Sequence, residues 1–198
     1  MEKFAFIGDI HGAVVPMREV INRALGEAEV LVFLGDYVNR GPQSRDVIEA
    51  LINLSVDVGD RVHYLRGHHD AAFLRAIEQG RIDAFLRMGG AATLSNYPRC
   101  KSDGSILPLV QRIPRRHLQF LRSLEPSFVS GDCVAMHYKF DAQPVHANKF
   151  GVFGHQPQLS RVPLVTQNFA LIDTGCGTFP DGRLSCFLWP SRRWFQAS

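Results

Sequence analysis

The sequence predicts an α/β protein in which two mixed β-sheets pack face to face, with helices on their outer sides. Two observations carry this prediction. In the first third of the chain, short apolar runs alternate with amphipathic stretches, as buried parallel strands alternate with crossover helices. From residue 127 onward the chain gives short strand-like pieces separated by Gly, Pro and Asp, which indicates hairpins of a second sheet. Packing the two sheets together is the simplest way to bury both.

The elements of the first sheet are predicted in a repeated order of strand, loop and helix. The strands are the runs KFAFIGD, VLVFLGD and RVHYLRG. Helices are expected after them, from about Val14 to Leu25, from about Ser44 to Leu54, and from Asp70 onward. The stretch 71–124 is predicted to be mainly helical, with a loop-rich break over 96–108.

The second sheet is predicted from five later runs, which are CVAMH, FGVFGH, RVPLVT, FALIDTG and RLSCFLWP. The Gly and Pro-Asp-Gly pieces near the last of them are typical of turns in a closing hairpin. The chain contains no internal repeat and no low-complexity linker. One domain over residues 1–198 is therefore expected.

Composition limits the function classes. With 198 residues and 45% hydrophobic content, the chain can bury a sizeable core. The apolar run before Asp9 is too short for a signal peptide, and no segment approaches the ~20 apolar residues of a membrane span. A net charge of +3 gives no electrostatic argument for nucleic-acid or membrane partners. Four scattered cysteines indicate reduced packing residues, and the protein is expected to be soluble and cytoplasmic.

Polar side chains follow each of the first three strands, in the segments GDIHG, GDYVNRG and RGHHD. Two later strands add His137 and His155. Because carboxyl ends of strands form the ligand crevice of an α/β sheet, these groups are expected to converge. Taken singly, each is more typical of a helix cap, a turn or a hydrogen-bonded core histidine. Their joint occurrence favours a two-metal hydrolytic site, since carboxylate oxygens bridge ions and imidazole suits borderline metals.

The motifs GDIHG, GDYVNRGPQS, LRGHHD, FGHQP and IDTGCG, in this order from Phe4 to Leu188, resemble those of calcineurin-like metallophosphoesterases. The nearest branch holds serine/threonine protein phosphatases and symmetrical dinucleoside-tetraphosphate hydrolases. The resemblance implies a four-layer αββα sandwich and two divalent metal ions, with Mn, Fe, Zn or Ni as candidates. It also implies that a hydroxide bound by both metals attacks phosphorus directly.

The resemblance assigns roles to individual positions. It implies six metal ligands, which are Asp9 and His11 for the first ion, Asp36 as the bridge, and His68, His137 and His155 for the second. Arg40 would bind the substrate phosphate, with Arg66 as a weaker candidate for the same task. His69 takes the place of the general acid, and Asn39 that of its partner. Asp70 is expected only to start the next helix, and Asp173 receives no metal.

Three positions depart from the family pattern. His68 stands where the family has asparagine, and we expect its imidazole to bind the second metal. Asn39 replaces an aspartate, and its amide oxygen is expected to accept the imidazole N–H of His69 without stabilising the imidazolium. Weaker turnover, or a preference for good leaving groups, would follow. After His137, Tyr138 and Lys139 are expected to narrow the pocket, with Lys139 directed either to phosphate or to solvent.

The sequence predicts a phosphoesterase that cleaves phosphomonoesters, with a phosphorylated protein or a small phosphoester as its partner. A symmetrical dinucleoside-tetraphosphate hydrolase is the second hypothesis. It would need aromatic residues that stack on bases, for which Phe73, Phe85 and Tyr97 are the candidates. A phosphate-binding or metal-binding module with weakened catalysis is the third. The sequence leaves the oligomeric state open.

Overall fold

The computed structural model describes residues 2–98, 108–139 and 148–198. Ten strands lie in these residues: β1 Phe4–Ile7, β2 Val30–Phe33, β3 Val62–Tyr64, β4 Ser127–Val129, β5 Cys133–Met136, β6 Phe150–Phe153, β7 Leu164–Val165, β8 Phe169–Leu171, β9 Leu184–Trp189 and β10 Trp194–Ala197. They form two mixed sheets of five strands, in the orders β10-β9-β1-β2-β3 and β4-β5-β6-β8-β7. The predicted α/β class with two mixed sheets is confirmed.

Seven α-helices lie in the same residues: α1 Val14–Ala24, α2 Ser44–Val58, α3 His68–Gln79, α4 Ile82–Arg87, α5 Gly90–Ser95, α6 Leu109–Arg112 and α7 Arg115–Ser123. Helix α3 begins two residues before the predicted start, because His68 and His69 already form its first turn. Both histidines are therefore fixed on a helix N-terminus. None of the described helices is long and apolar enough to cross a bilayer.

The first sheet separates two apolar layers. Strands β1, β2 and β3 are parallel, with Phe4 opposite Val30 and Leu31 opposite Val62. Side chains of a strand alternate between faces, so Ala5 and Ile7 pack with the helices, whereas Phe4 and Phe6 pack between the sheets. This two-sided burial explains why the strands appear in the sequence as nearly continuous apolar runs.

The run RLSCFLWP does not join the second sheet as predicted. It forms β9, which pairs antiparallel with β1, Phe4 lying opposite Trp189 and Ile7 opposite Cys186. Leu184 and Cys186 of this strand pack with the helices, while Phe187 packs between the sheets. Burial on both faces suits a strand inside the first sheet. The closing hairpin joins β9 to β10 after Trp189, and not at the Pro-Asp-Gly piece before β9 where the sequence predicted its turn.

The second sheet has a parallel centre and antiparallel edges. Strands β5, β6 and β8 run parallel, and β4 and β7 flank them in the opposite direction. His137 and His155 follow β5 and β6, so this arrangement brings both to one edge. The outer face carries a small apolar cluster to which no described helix contributes, formed by Val134, Met136, Phe153 and Leu171.

Candidate metal centre

The loops after the strands adopt backbone conformations that non-glycine residues rarely take. Five residues singled out from the sequence have a positive φ: His11 at 46°, Asp36 at 56°, Asn39 at 73°, Arg40 at 66° and His155 at 64°. Each such conformation costs of the order of 1–3 kcal/mol and persists only where the surrounding structure enforces it. Because such strained residues cluster at functional sites, their concentration on these loops indicates a candidate ligand site.

One carboxylate oxygen lies at the centre of this region. Asp36 Oδ2 is fully buried and has no hydrogen-bond partner among the described residues. Four imidazole nitrogens surround it, at 2.9 Å (His68 Nδ1), 3.4 Å (His137 Nε2), 3.8 Å (His11 Nε2) and 4.0 Å (His69 Nε2). Burial by itself would raise the pKa of Asp36, but His137, His68 and His11 hold it well below its ordinary value. The group is therefore an ionised carboxylate.

Two of these imidazoles are oriented by backbone carbonyls. His11 Nδ1 lies 3.0 Å from the oxygen of Val38, and His137 Nδ1 lies 3.0 Å from that of Leu34. An N–H donated there leaves the lone pair of each Nε2 directed at Asp36. Burial lowers the pKa of His11 to about 4, which keeps its ring neutral. Metal-binding histidines are commonly held by such a second hydrogen bond.

Four side chains form the larger group of possible metal ligands. In it, Asp36, His68, His137 and His155 each offer one atom, all within 4.8 Å of one another. His68 Nδ1 lies 3.0 Å from His137 Nε2, a spacing typical of ligand atoms around one ion with bonds of about 2.0 Å. Among the described residues, His155 Nδ1 is buried without a hydrogen-bond partner, and burial lowers the pKa of this histidine to about 4. Three imidazoles and a carboxylate fit a borderline divalent metal.

A second group joins His11, Asp36 and His69. Asp9, predicted as a ligand beside His11, lies outside both groups. Its two carboxylate oxygens accept the backbone N–H of His155, at 3.1 and 3.2 Å. Burial, together with the charges of Asp173 and Asp36, raises the pKa of Asp9 well above its ordinary value. The structure therefore brings five of the six predicted ligands together, and the assignment of Asp9 stays a prediction.

Asn39 contacts His69 in a different way from that predicted. The Thr93 hydroxyl donates to Asn39 Oδ1 at 2.8 Å, so the amide oxygen is already engaged. The amide nitrogen lies 2.8 Å from His69 Nδ1 and donates to the carbonyl of Met88 at 3.4 Å. His69 Nδ1 is then an acceptor, and its ring proton resides on Nε2. Burial lowers the pKa of His69 to about 3, so this ring is neutral and presents an N–H to the site.

The guanidinium of Arg40 reaches the same point. One of its nitrogens donates to the hydroxyl of Thr178, and Nη2 lies 3.4 Å from His69 Nε2. With the ring proton on Nε2, both groups are donors directed into one space. An oxyanion is the partner that satisfies two such donors. The geometry therefore suits a phosphate oxygen between Arg40 and His69.

Two other basic residues have different surroundings. Arg66 donates to the carbonyl of Leu124 at 2.7 Å. A cavity lies beside Arg40 and His69, and Arg66 does not line it, so the phosphate-binding role of Arg66 stays a prediction. Lys139 Nζ lies 3.5 Å from the centre of the Phe169 ring, a cation–π contact that the sequence did not indicate. Tyr138 packs its ring 4.1 Å from that of His155, in agreement with a narrowed pocket.

Sequence reasoning missed the part played by Asp70. Its carboxylate accepts the backbone N–H groups of Asp36 at 2.7 Å, Tyr37 at 3.0 Å and Gly67 at 3.0 Å. It therefore holds the loop that carries Asp36. A Cβ on Gly67 would lie only 2.1 Å from Asp36 Oδ1, so only glycine allows this approach. The signal available in the sequence was an acidic residue in the first turn of a helix, which usually means only a cap.

Asp173, to which the sequence assigns no metal, is a further buried carboxylate at this site. Its side chain is 1% exposed and accepts the backbone N–H of Gly175 at 3.0 Å. Burial raises the pKa of Asp173 to about 6, and the Asp36 carboxylate adds to the shift. Asp173 thus adds negative charge beside Asp9, where a cation would be favoured.

Thr178 is predicted to orient Arg40. Replacing Thr178 by Val removes the hydroxyl that accepts from the guanidinium, so KM for an aryl phosphate is expected to rise about tenfold, with a smaller change in kcat. Thr178→Ser keeps the hydroxyl and serves as the matched control. Steady-state kinetics of both variants checks this, and equal KM values for wild type and Thr178→Val would contradict it.

Comparison with known proteins adds the family. A model of the family described as calcineurin-like phosphoesterase matches residues 2–164. Serine/threonine-protein phosphatase BSL2 of Arabidopsis thaliana is 31% identical over 116 residues, covering 55% of this chain and 11% of that protein. The chain thus spans only a small part of this curated relative.

Two solved structures share the fold. One, described as a candidate diadenosine tetraphosphatase, has a TM-score of 0.65 at 18% identity, covering 99% of this chain and 93% of the other. A metallophosphoesterase from Sphaerobacter thermophilus has a TM-score of 0.62 at 19% identity, covering 100% of this chain and 88% of the other. These identities support the fold alone. Because the family model matches most of this chain, the chain belongs to the calcineurin-like phosphoesterases, a family of metal-dependent hydrolases.

Proposed function

We propose that this protein hydrolyses phosphomonoesters, with phosphoserine or phosphothreonine of a protein as the favoured natural substrate. The observation that carries the proposal is the convergence of four imidazole nitrogens on the buried Asp36 Oδ2. Two divalent ions, with Mn, Fe, Zn and Ni as candidates, would share Asp36. When bound, they supply Lewis acidity at the phosphoryl oxygens and lower the pKa of a water molecule.

The side chains of the protein then have separate tasks. Arg40, oriented by Thr178, binds the phosphoryl oxygens through its guanidinium fork. Water adds to phosphorus, and the bond from phosphorus to the ester oxygen breaks. The departing oxygen lies against His69, whose Nε2–H stabilises the charge that develops there. A neutral imidazole is a weak acid, which favours substrates with good leaving groups.

The aromatic residues considered for nucleoside binding are not available for it. Phe73 and Phe85 are fully buried and stack on each other with ring centres 4.9 Å apart. Tyr97 is 3% exposed, and its hydroxyl lies 2.9 Å from His117 Nδ1. These rings belong to the core and to a buried polar network. The observation favours a phosphomonoesterase over a dinucleoside-tetraphosphate hydrolase.

The test is hydrolysis of p-nitrophenyl phosphate by the purified chain with Mn, Zn, Ni or Fe. The same preparation is then assayed on a phosphoserine peptide and on diadenosine tetraphosphate. Faster release of phosphate from the peptide supports the proposal, and a preference for the dinucleotide overturns the substrate class. Metal binding without activity on any substrate would instead indicate a binding module.

Asn39→Asp is expected to raise turnover of substrates with poor leaving groups by about tenfold. A carboxylate accepts an N–H from His69 Nδ1, so the imidazole can carry protons on both ring nitrogens and its Nε2–H becomes a stronger acid. The measurement compares an alkyl phosphate with p-nitrophenyl phosphate, which needs little proton donation. Asn39→Ala serves as the control that removes the contact without adding charge. A gain of equal size on both substrates would contradict this account.

A further inference from the structure

The space beside Arg40 and His69 is extended by the end of helix α4. A cavity of about 360 Å³ is lined by Arg40, His68, His69, Arg87, Met88 and Gly89. No acidic residue lines it, and two of its six residues are arginines. A substrate whose phosphate lies at Arg40 therefore meets a second guanidinium in the same cavity.

Arg87 is exposed, and among the described residues it makes no hydrogen bond, ion pair or ring contact that would hold its guanidinium. Some other surface arginines are engaged, as Arg122 is with Glu78 at 2.7 Å and Arg193 with Glu27 at 2.8 Å, and Arg87 differs from the remaining ones in lining this cavity. A guanidinium that none of the described residues engages, at the edge of an active-site cavity, is available to a ligand. Its planar fork suits the two oxygens of a phosphoryl or carboxylate group.

The backbone at the end of helix α4, which carries Arg87, is held near His69 by packing and by a hydrogen bond. The carbonyl of Met88 accepts the Asn39 amide at 3.4 Å, which ties the end of α4 to the partner of His69. Gly89 has a φ of +82°, and a Cβ on Gly90 would lie 2.5 Å from the ring of Phe85. The two glycines therefore let the chain turn closely against α4. Arg87 is thus presented beside the histidine that faces the leaving group.

We propose that Arg87 is a specificity-determining residue that binds an oxyanion on the leaving group of the substrate, either a second phosphoryl group or a carboxylate. The inference rests on the proposed function, which places the scissile phosphate at Arg40 and the departing oxygen at His69. The next part of the substrate then enters the remaining cavity, to which Arg87, alone among the described lining residues, adds a further positive charge. A leaving group with a negative charge is selected over a neutral one of the same size.

The experiment compares 4-carboxyphenyl phosphate with 4-carbamoylphenyl phosphate, which match in size and differ in charge. Arg87→Gln is expected to lower kcat/KM for the carboxyl substrate at least about tenfold and to change that for the carbamoyl substrate less than about twofold. Arg81→Gln, an exposed residue at the other end of α4 that does not line the cavity, removes the same net charge. It is expected to leave both values unchanged.

A binding measurement accompanies the kinetics. Calorimetry of the metal-loaded protein with inorganic pyrophosphate and with orthophosphate tests whether the oxyanion that Arg87 binds is a second phosphoryl group. If the wild type binds pyrophosphate more tightly than orthophosphate and Arg87→Gln removes this difference, a phosphoryl partner is supported. If Arg87→Gln lowers only kcat/KM for the carboxyl substrate, a carboxylate partner is supported. Equal effects of Arg87→Gln on the charged and neutral substrates, or no effect in either measurement, overturn the inference. Absence of hydrolysis by the wild type overturns the proposed function, while the binding measurement still tests Arg87.

Discussion

Asp36→Asn is expected to lower kcat for an aryl phosphate by about a thousandfold or more. Asp36 Oδ1 accepts the backbone N–H of His69 at 2.9 Å, and an asparagine oxygen can keep this contact. The amide NH2 would then replace Oδ2 and face the imidazole nitrogens, occupying the lone pairs that would bind metal. The shared negative charge is lost at the same time, so both ions should bind more weakly.

Kinetics and metal analysis of the purified variant check this expectation. Thermal unfolding in the presence of a chelator separates loss of metal from loss of fold, because Asn fits the same space as Asp. Asp83→Asn, at an exposed position in the first turn of α4, is the matched control. Full metal content and wild-type turnover in Asp36→Asn would exclude Asp36 as the shared ligand.

Asp70→Ala is expected to lower the free energy of unfolding by about 3–5 kcal/mol. Three buried N–H groups lose their acceptor at once, and each unsatisfied donor costs about 1–3 kcal/mol, although such losses do not add fully. The loop that carries Asp36 should also lose its conformation, so metal affinity is expected to fall with stability. Urea unfolding gives the first quantity and metal titration the second.

The matched control for this variant is Asp83→Ala. Asp83 also lies in the first turn of a helix, but its side chain is exposed, so the change should remain within about 0.5 kcal/mol. A comparable loss in both variants would mean that Asp70 acts only through the helix dipole. Wild-type stability of Asp70→Ala would show that other groups can satisfy the three amides.

The sequence predicted well what depends on periodicity and on strand ends. Strands β1 to β3 and the helices after them follow from apolar runs, and the position of His11 and Asp36 follows from the geometry of parallel sheets. Strand β9 was misplaced because an apolar run shows that a strand is buried without showing which strand it pairs with. Pairing over more than 170 residues of chain is decided by tertiary packing.

Details of the site depended on contacts that no local pattern contains. The amide of Asn39 is oriented by Thr93, 54 residues away, so sequence reasoning assigned the wrong atom to His69. Asp9 is drawn to a backbone N–H at His155, 146 residues away. The positive φ values of Asp36 and Arg40 were equally hidden, because a positive φ is uncommon for any residue other than glycine. Each of these features is imposed by the assembled fold.

The proposed ligands are divided between the two sheets, so bound ions would stabilise the fold as well as take part in the chemistry. Asp36 and His68 follow strands of the first sheet, whereas His137 and His155 follow strands of the second. An ion bound by all four would be a further cross-link between sheets that meet through apolar packing and through hydrogen bonds such as that of His137 with the Leu34 carbonyl. Cys133, Cys176 and Cys186 are free thiols. Ions at 100 times their Kd would stabilise the folded state by about 2.7 kcal/mol. A chelator should therefore lower Tm, and local unfolding should begin at the interface between the two sheets.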